Sequence, residues 1–327
     1  MRAPANVITT FAAPVLTGID ELMAMLTFRR PAWSKTERAF IARFLRPHGM
    51  QEDAFGNLYK RIGTAPVLYS CHTDTVHTHG GRQALRVSSG LVRPDDKQSN
   101  CLGADDTAGA WLMLEMIRAG KPGLYVFHRA EEIGGQGSHH IASVTPQLLD
   151  GIQYAIAFDR RDTCSIITHQ GSRCCSDAFG ASLSRALGLD HELDPGGMFT
   201  DTANYTDLIG ECTNVSVGYF SEHTAREMLD LNYIERLRDA LLGLDVADLV
   251  AERKPGEDDP DDYDYSKGWP GFFDDDEQEP LGHTNRSLAS LVKDHPDEVA
   301  DWLEEYGINA DELATAIFLR GGVIRTR

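Results

Sequence analysis

Apolar positions along the first half of the chain come in short, dense runs separated by stretches of helical periodicity. Residues 66–70, 124–127, 154–158 and 214–217 read as buried strands, each short and rich in Val, Ile, Leu or aromatic residues. Between them, residues 107–119 and 227–242 place apolar side chains three and four apart, the spacing of an amphipathic helix. Nearer the start, Ser34 and Glu37 stand in the reciprocal capping pattern, and Phe40, Ile41 and Phe44 continue a helix from it. Residues 53–57, with Gly56 and Asn57, read as a turn into a strand at Leu58 and Tyr59. Strands alternating with helices predict an α/β fold, a three-layer sandwich around a mostly parallel twisted sheet. In such sheets functional residues gather just past the carboxyl ends of the strands.

The pattern changes after about residue 250. Residues 251–284 are dominated by Asp and Glu with Pro and Gly interspersed, which predicts an acidic disordered linker. Residues 285–327 return to helical spacing through Leu288, Leu291 and Val292, then Val299, Trp302 and Leu303, then Leu313 and Ile317. The expected organisation is a catalytic domain over 1–250, the linker, and a small helical appendage.

The formal net charge of −19 over 327 residues would repel nucleic acid and anionic membranes, so neither is expected as a partner. The first ten residues hold one Arg and no apolar run of signal-peptide length, and no segment has the length and apolarity of a membrane span. Six cysteines lack the dense spacing of a disulfide scaffold. Reduced thiols and a cytoplasmic location are expected.

Every predicted strand is followed almost at once by residues able to bind metal. His72 and Asp74 follow the first, and Glu131 and Glu132 the second. Asp159 ends the third and His223 follows the fourth, while Asp105 and Asp106 open the helix at 107. A two-metal hydrolase needs this inventory: His nitrogens and carboxylate oxygens, one carboxylate shared between ions, and a position left open for water. One further carboxylate must stay free to take the proton from that water, and an Asp two residues after a His can orient its ring.

In these motifs and their order, over roughly residues 22–231, the chain resembles the co-catalytic zinc exopeptidases. These include bacterial aminopeptidases, tripeptidases and carboxypeptidases, and the related aminoacylases and desuccinylases. The resemblance implies two Zn2+ ions, with Co2+ or Mn2+ as substitutes. It places His72 and Asp159 on one ion, Glu132 and His223 on the other, and Asp105 between them. Asp74 would orient His72, Glu131 would be the general base, and the bond from Asp105 to Asp106 is often cis in such proteins. The implied activity is metallopeptidase cleavage of a small peptide, or else deacylation of an N-acyl amino acid. A catalytically silent binding protein is disfavoured because every expected ligand is present.

Two departures from the family stand out. Many members insert a dimerising lid of roughly a hundred residues, and neither the gap from Asp74 to Asp105 nor that from Asp159 to His223 has room for one. An open cleft walled by the loops at 77–100 and 188–201 is therefore expected, in a monomer or weak homo-oligomer. The second departure is Arg160 and Arg161, where small residues are usual. Guanidinium groups fork onto carboxylates, but a surface pair beside an acidic rim is the simpler reading. Other candidates reduce to plain roles: Cys174 and Cys175 to packing within a helix, Cys71 to the opposite side of its strand from His72. His139 and His140 are expected at a helix start, His77 and His79 exposed near the site's mouth. Tyr219 and His169 are candidates for stabilising an oxyanion.

Overall fold

The computed structural model describes residues 17–255 and, beyond them, positions 292, 293, 296, 299 and 300. The chain divides into two units after Asp262, the first of which carries the sheet, its helices and every expected ligand. Most of the expected linker, from residue 256, and most of the expected helical appendage lie outside the described residues.

An eight-stranded sheet forms the centre. In chain order its strands are β1 (Gln51–Glu52), β2 (Leu58–Ile62), β3 (Val67–His72), β4 (Gly123–His128), β5 (Tyr154–Arg160), β6 (Ser165–Ile167), β7 (Glu192–Asp194) and β8 (Glu211–Ser216). Across the sheet they run β7-β6-β8-β5-β3-β4-β2-β1. The middle four are mutually parallel, and the antiparallel pairings lie towards the two edges.

Six α-helices are found among the described residues: α1 (Gly18–Leu26), α2 (Lys35–Phe40), α3 (Ala104–Arg118), α4 (Gln136–Val144), α5 (Asp177–Leu187) and α6 (Leu231–Gly243). Alternate residues of the central strands feed two separate cores. Val67, Tyr69 and Cys71 of β3 pack with Trp111 of α3 and Leu237 of α6. Leu68, with Leu124 of β4, packs instead with Ile141 of α4 and Tyr205. Both faces of the central sheet are thus covered, which is why β3 and β4 are buried throughout and read as continuous apolar runs.

No lid is inserted in either expected gap. The segment between Asp74 and Asp105 supplies Leu85–Ser88 and Leu91–Pro94, which pair with Met228–Asp230 and Tyr219–Phe220 in a small antiparallel sheet. Two local expectations need correction. Cys174 and Cys175 are buried but precede α5, because both of their backbone N–H groups donate to the Thr168 carbonyl and the helix is capped by Ser176. His77 is buried as well, its ring between the Thr75 hydroxyl at 2.7 Å and Gln83 at 3.3 Å.

Candidate metal centre

The carboxyl ends of β3, β4 and β5 open on one cleft, as parallel strands require. Its lining includes Asp105, Glu131, Glu132, Asp159 and His223, within about 620 Å³ of empty space. His72 ends β3 and is buried. Asp105 sits just before the regular turns of α3: it and Asp106 have non-helical backbone angles, and the peptide bond between them is cis. Glu131 and Glu132 follow β4 after Ala130, whose φ of 62° lets the chain turn sharply at the strand end. His223 takes the same left-handed backbone, also with φ 62°, in the turn after Tyr219–Phe220.

Asp105 lies at the middle of the cluster. One of its oxygens is 3.0 Å from His72 Nε2 and the other 3.2 Å from His223 Nε2. His72 Nε2 is also 3.6 Å from Asp159 Oδ1, and His223 Nε2 is 3.2 Å from Glu132 Oε2. Two donor groups result, His72–Asp105–Asp159 and Asp105–Glu132–His223, each with its ligand atoms within 4.8 Å of one another. Glu131 belongs to neither, and its Oε2 lies 3.9 Å from His72 Nε2.

The supporting bonds explain why these side chains converge. Asp74 is 3.6 Å from His72 Nδ1, but that nitrogen is nearer the Asp74 backbone carbonyl, at 3.2 Å. The Asp74 carboxylate also accepts the backbone N–H groups of Glu131 and Glu132, at 3.2 and 3.3 Å, and so fixes the turn that carries both glutamates. Asp106 accepts from His72 N and Gly109 N. Thr200 and Tyr219 donate to the two oxygens of Asp159, at 2.7 and 3.2 Å. Tyr219 therefore lines the cleft, whereas His169 bonds Thr168 on a separate short hairpin.

Sequence reasoning missed three supports. Glu227 accepts the backbone N–H groups of Leu102, Gly103, Ala104 and Asp105, at 2.7–3.1 Å. Glu37, read as a capping residue, is buried and forks onto Arg129 at 2.6 and 2.9 Å while accepting from Thr73, which ties the β3 and β4 loops together. Buried His128 joins Asp201 at 3.1 Å and Tyr205 at 2.6 Å beneath the cleft. In Glu37 the Ser-x-x-Glu spacing carried a signal, though for a different partner; the other two left none in the sequence.

Electrostatically the cluster calls for cations. Burial drives Glu131 well above the usual carboxylate range, and it pushes Asp159 up to about 7, with the charge of Asp105 adding to the rise. Burial opposes ionisation of Asp105 too, but hydrogen bonds from His223 and His72 hold its carboxyl well below that range. His223 is pushed up to about 12, its bonds to Asp105 and Glu132 outweighing burial. Glu132 Oε1 is buried without a hydrogen-bond partner. Nitrogen and carboxylate donors with such affinity for positive charge fit zinc or a similar divalent ion.

The cleft walls depart from expectation on one side. Met198 and Phe199 come from the 188–201 loop as anticipated, but the 77–100 segment contributes nothing to the lining and folds into the small sheet. Arg160 and Arg161 both line the cleft, Arg160 largely buried and Arg161 exposed.

Residues 57–172 match the sequence model of Peptidase family M28, a span that takes in every expected ligand except His223. No curated protein matches the chain. Among solved structures, aminopeptidase PepT of Bacillus cereus is similar with a TM-score of 0.57 at 16% identity, covering 69% of this chain and 96% of that one. A Staphylococcus aureus tripeptidase gives 0.56 at 14%, with coverage of 69% and 96%. The TET1 peptidase of Pyrococcus horikoshii, which can assemble into a tetrahedron or a large octahedral shell, gives 0.51 at 15%, with coverage of 69% and 98%. At these identities the structures speak for the fold. Sequence pattern and fold agree with the resemblance drawn from the motifs, and together they indicate a metallopeptidase.

Proposed function

We propose that the chain is a two-metal hydrolase that cleaves a peptide or amide bond in a small substrate, with Glu131 as general base. His72 and Asp159 would hold one zinc ion, Glu132 and His223 the other, with Asp105 shared. The observation that carries this reading is the pair of donor groups meeting at Asp105, with Glu131 beside them and in neither.

Bound there, two divalent ions would supply Lewis acidity, polarising the scissile carbonyl and acidifying the attacking water. The chain's own residues do the rest. Glu131 takes the water's proton and delivers it to the departing amine. Asp74 sets the position of Glu131 through the backbone, and Asp159 is oriented by Thr200 and Tyr219. All five donors and the base come from one chain, which supports a catalytic unit complete in a monomer. Among the described residues no helix is long and apolar enough to cross a membrane, and the reading remains that of a cytoplasmic enzyme with a small peptide or N-acyl amino-acid substrate.

The two glutamates provide the test. Elemental analysis of protein dialysed after zinc loading should give two ions per chain. Glu131→Gln should keep both and lose about 10²–10⁴-fold in turnover, since it removes a proton acceptor and no ligand. Glu132→Gln should lose one ion. Equal loss of metal in both variants, or an active Glu131→Gln, would overturn the assignment. A panel of dipeptides and N-acyl amino acids separates peptidase from deacylase.

A further inference from the structure

Asp105, Glu131, Glu132, Asp159 and Glu222 give the cleft five carboxylates, and two guanidinium groups stand in its wall beside Asp159. They are held differently. Arg160 is largely buried, and its Nη2 bonds Asp194 Oδ2 at 3.0 Å and the Gly196 carbonyl at 3.2 Å. Asp194 is itself fixed by Ser165 Oγ at 2.9 Å and by Gly196 N at 2.7 Å, so the guanidinium sits on a braced support at the β6–β7 edge. Its Nε is buried without a hydrogen-bond partner. A buried N–H in that condition carries a desolvation cost that an incoming acceptor, reached by a small turn of the side chain, would relieve. Arg161 bonds Glu222 Oε1 at 3.2 Å, but its side chain is 52% exposed and faces solvent at the cleft.

Neither arginine is needed to hold the five donors or the base, since no bond joins them to those side chains. Nor does general electrostatics account for them: a chain of net charge −19 repels an anionic substrate unless a local cation receives it. Planar, fixed guanidinium groups suit a carboxylate, which they bind in a fork with little loss of freedom. Exposed Met198 and Phe199 add an apolar wall to the same cleft.

We propose that Arg160 and Arg161 form a carboxylate-reading subsite beside Asp159, which selects substrates carrying a negative charge next to the scissile bond. The proposal rests on the hydrolase reading for its substrate class. The carboxylate is either the free α-carboxylate of a dipeptide or N-acyl amino acid, or an acidic side chain flanking the cleaved bond. Arg161 makes the first contact, exchanging Glu222 for substrate, and Arg160 supplies the fixed charge behind it.

Binding to the zinc-loaded, full-length Glu131→Gln protein tests this without turnover. Four probes are titrated by calorimetry: Ala-Ala, its carboxy-terminal amide, and the amides of Glu-Ala and Ala-Glu. At least one carboxylate-bearing probe should bind tenfold or more tighter than Ala-Ala amide, and which one does so identifies the source. Adding Arg161→Gln, whose side chain is exposed, should remove most of that advantage and leave Ala-Ala amide unchanged. Arg160→Gln should act the same way, with its melting temperature checked because the Asp194 bond is lost. Equal binding of all four probes, no binding of any, or an advantage that survives both substitutions overturns the subsite. If wild-type protein cleaves all four equally well, the hydrolase reading stands and the subsite falls. If it cleaves none while the arginine-dependent preference is present, the subsite stands and the hydrolase reading falls.

Discussion

One carboxylate, Glu227, gathers four consecutive backbone N–H groups directly ahead of the proposed bridging ligand Asp105. Gln in its place keeps the shape but turns an accepting oxygen into a donating amide, leaving N–H groups facing N–H groups. Glu227→Gln should therefore cost about 2–4 kcal/mol of stability. It should also weaken zinc binding, because Asp105 loses its fixed approach. Urea unfolding and a zinc titration check both, and a variant unchanged in each would show that the clamp is idle. His77 offers a test by pH. Burial, aided by the Arg30 charge, lowers its pKa to about 4 from an ordinary value of 6.5. The unfolded chain thus binds a proton that the folded one refuses between these values, and folding stability falls as pH drops from 6.5 to about 4, by up to about 1.4 kcal/mol per pH unit. His77→Gln should flatten the slope of stability against pH in that window, measured by denaturant unfolding; an unaltered slope would refute the assignment. Four of the proposed ligands were legible in sequence because each ends or follows an apolar run recognisable as a strand, and Asp105 because it opens a recognisable helix. Glu227 was not, since its bonds reach backbone groups more than a hundred residues away. His77 was misread because its burial depends on Thr75 and Gln83, and on the cation of Arg30, closing around it.

At the level of elements, α3 shows what position demands of a residue. A Cβ on Gly109 would collide with the Phe158 carbonyl of β5 and with the Asp106 carboxylate. This close approach of the helix to the sheet keeps Asp105 in one donor group with His72 and Asp159. Gly109→Ala should cost about 1–3 kcal/mol by overpacking and loosen zinc as α3 moves off the strand. Thermal unfolding with and without zinc measures the effect, and a variant as stable and as tightly loaded as the wild type would contradict this account of the packing. The central strands and the regular turns of α3 from Thr107 followed from hydrophobic pattern because both faces of the central sheet are covered, leaving no polar face to blur the runs. Element ends were less legible where a cap decides them. Helix α6 begins at Leu231 rather than 227 because Asp230 accepts from Asn232 and Tyr233, closing the preceding strand Met228–Asp230. Cys174 and Cys175 fell outside α5 for the same kind of reason: Ser176 accepts from Phe179 N and starts the helix after them.

For the molecule as a whole, the placing of charge separates the hydrolase unit from the remainder of the chain. Beyond Pro255, Asp and Glu outnumber Lys and Arg roughly three to one, so much of the net charge of −19 resides there. Every proposed donor, the proposed base and, among the described residues, every residue lining the cleft precede that part of the chain. The unit itself extends slightly past residue 250. Arg253 Nη1 bonds the carbonyls of Thr206 and Gly210, and the backbone N–H groups of Glu252 and Arg253 donate to Glu211. Buried Glu211 also receives Ser176 N and Oγ at the start of α5, so a cut at 250 would strip partners from a buried carboxylate. A cut after Pro255 leaves that network whole and removes mainly like charges that repel one another. Deleting residues 256–327 should accordingly give a soluble protein with the melting temperature, zinc stoichiometry and kcat/KM of the full chain, whereas deleting from 251 should lower the melting temperature. Differential scanning calorimetry and steady-state kinetics on the two truncations decide the matter. A 256–327 deletion that aggregates or changes turnover would mean that this part of the chain acts on the catalytic unit.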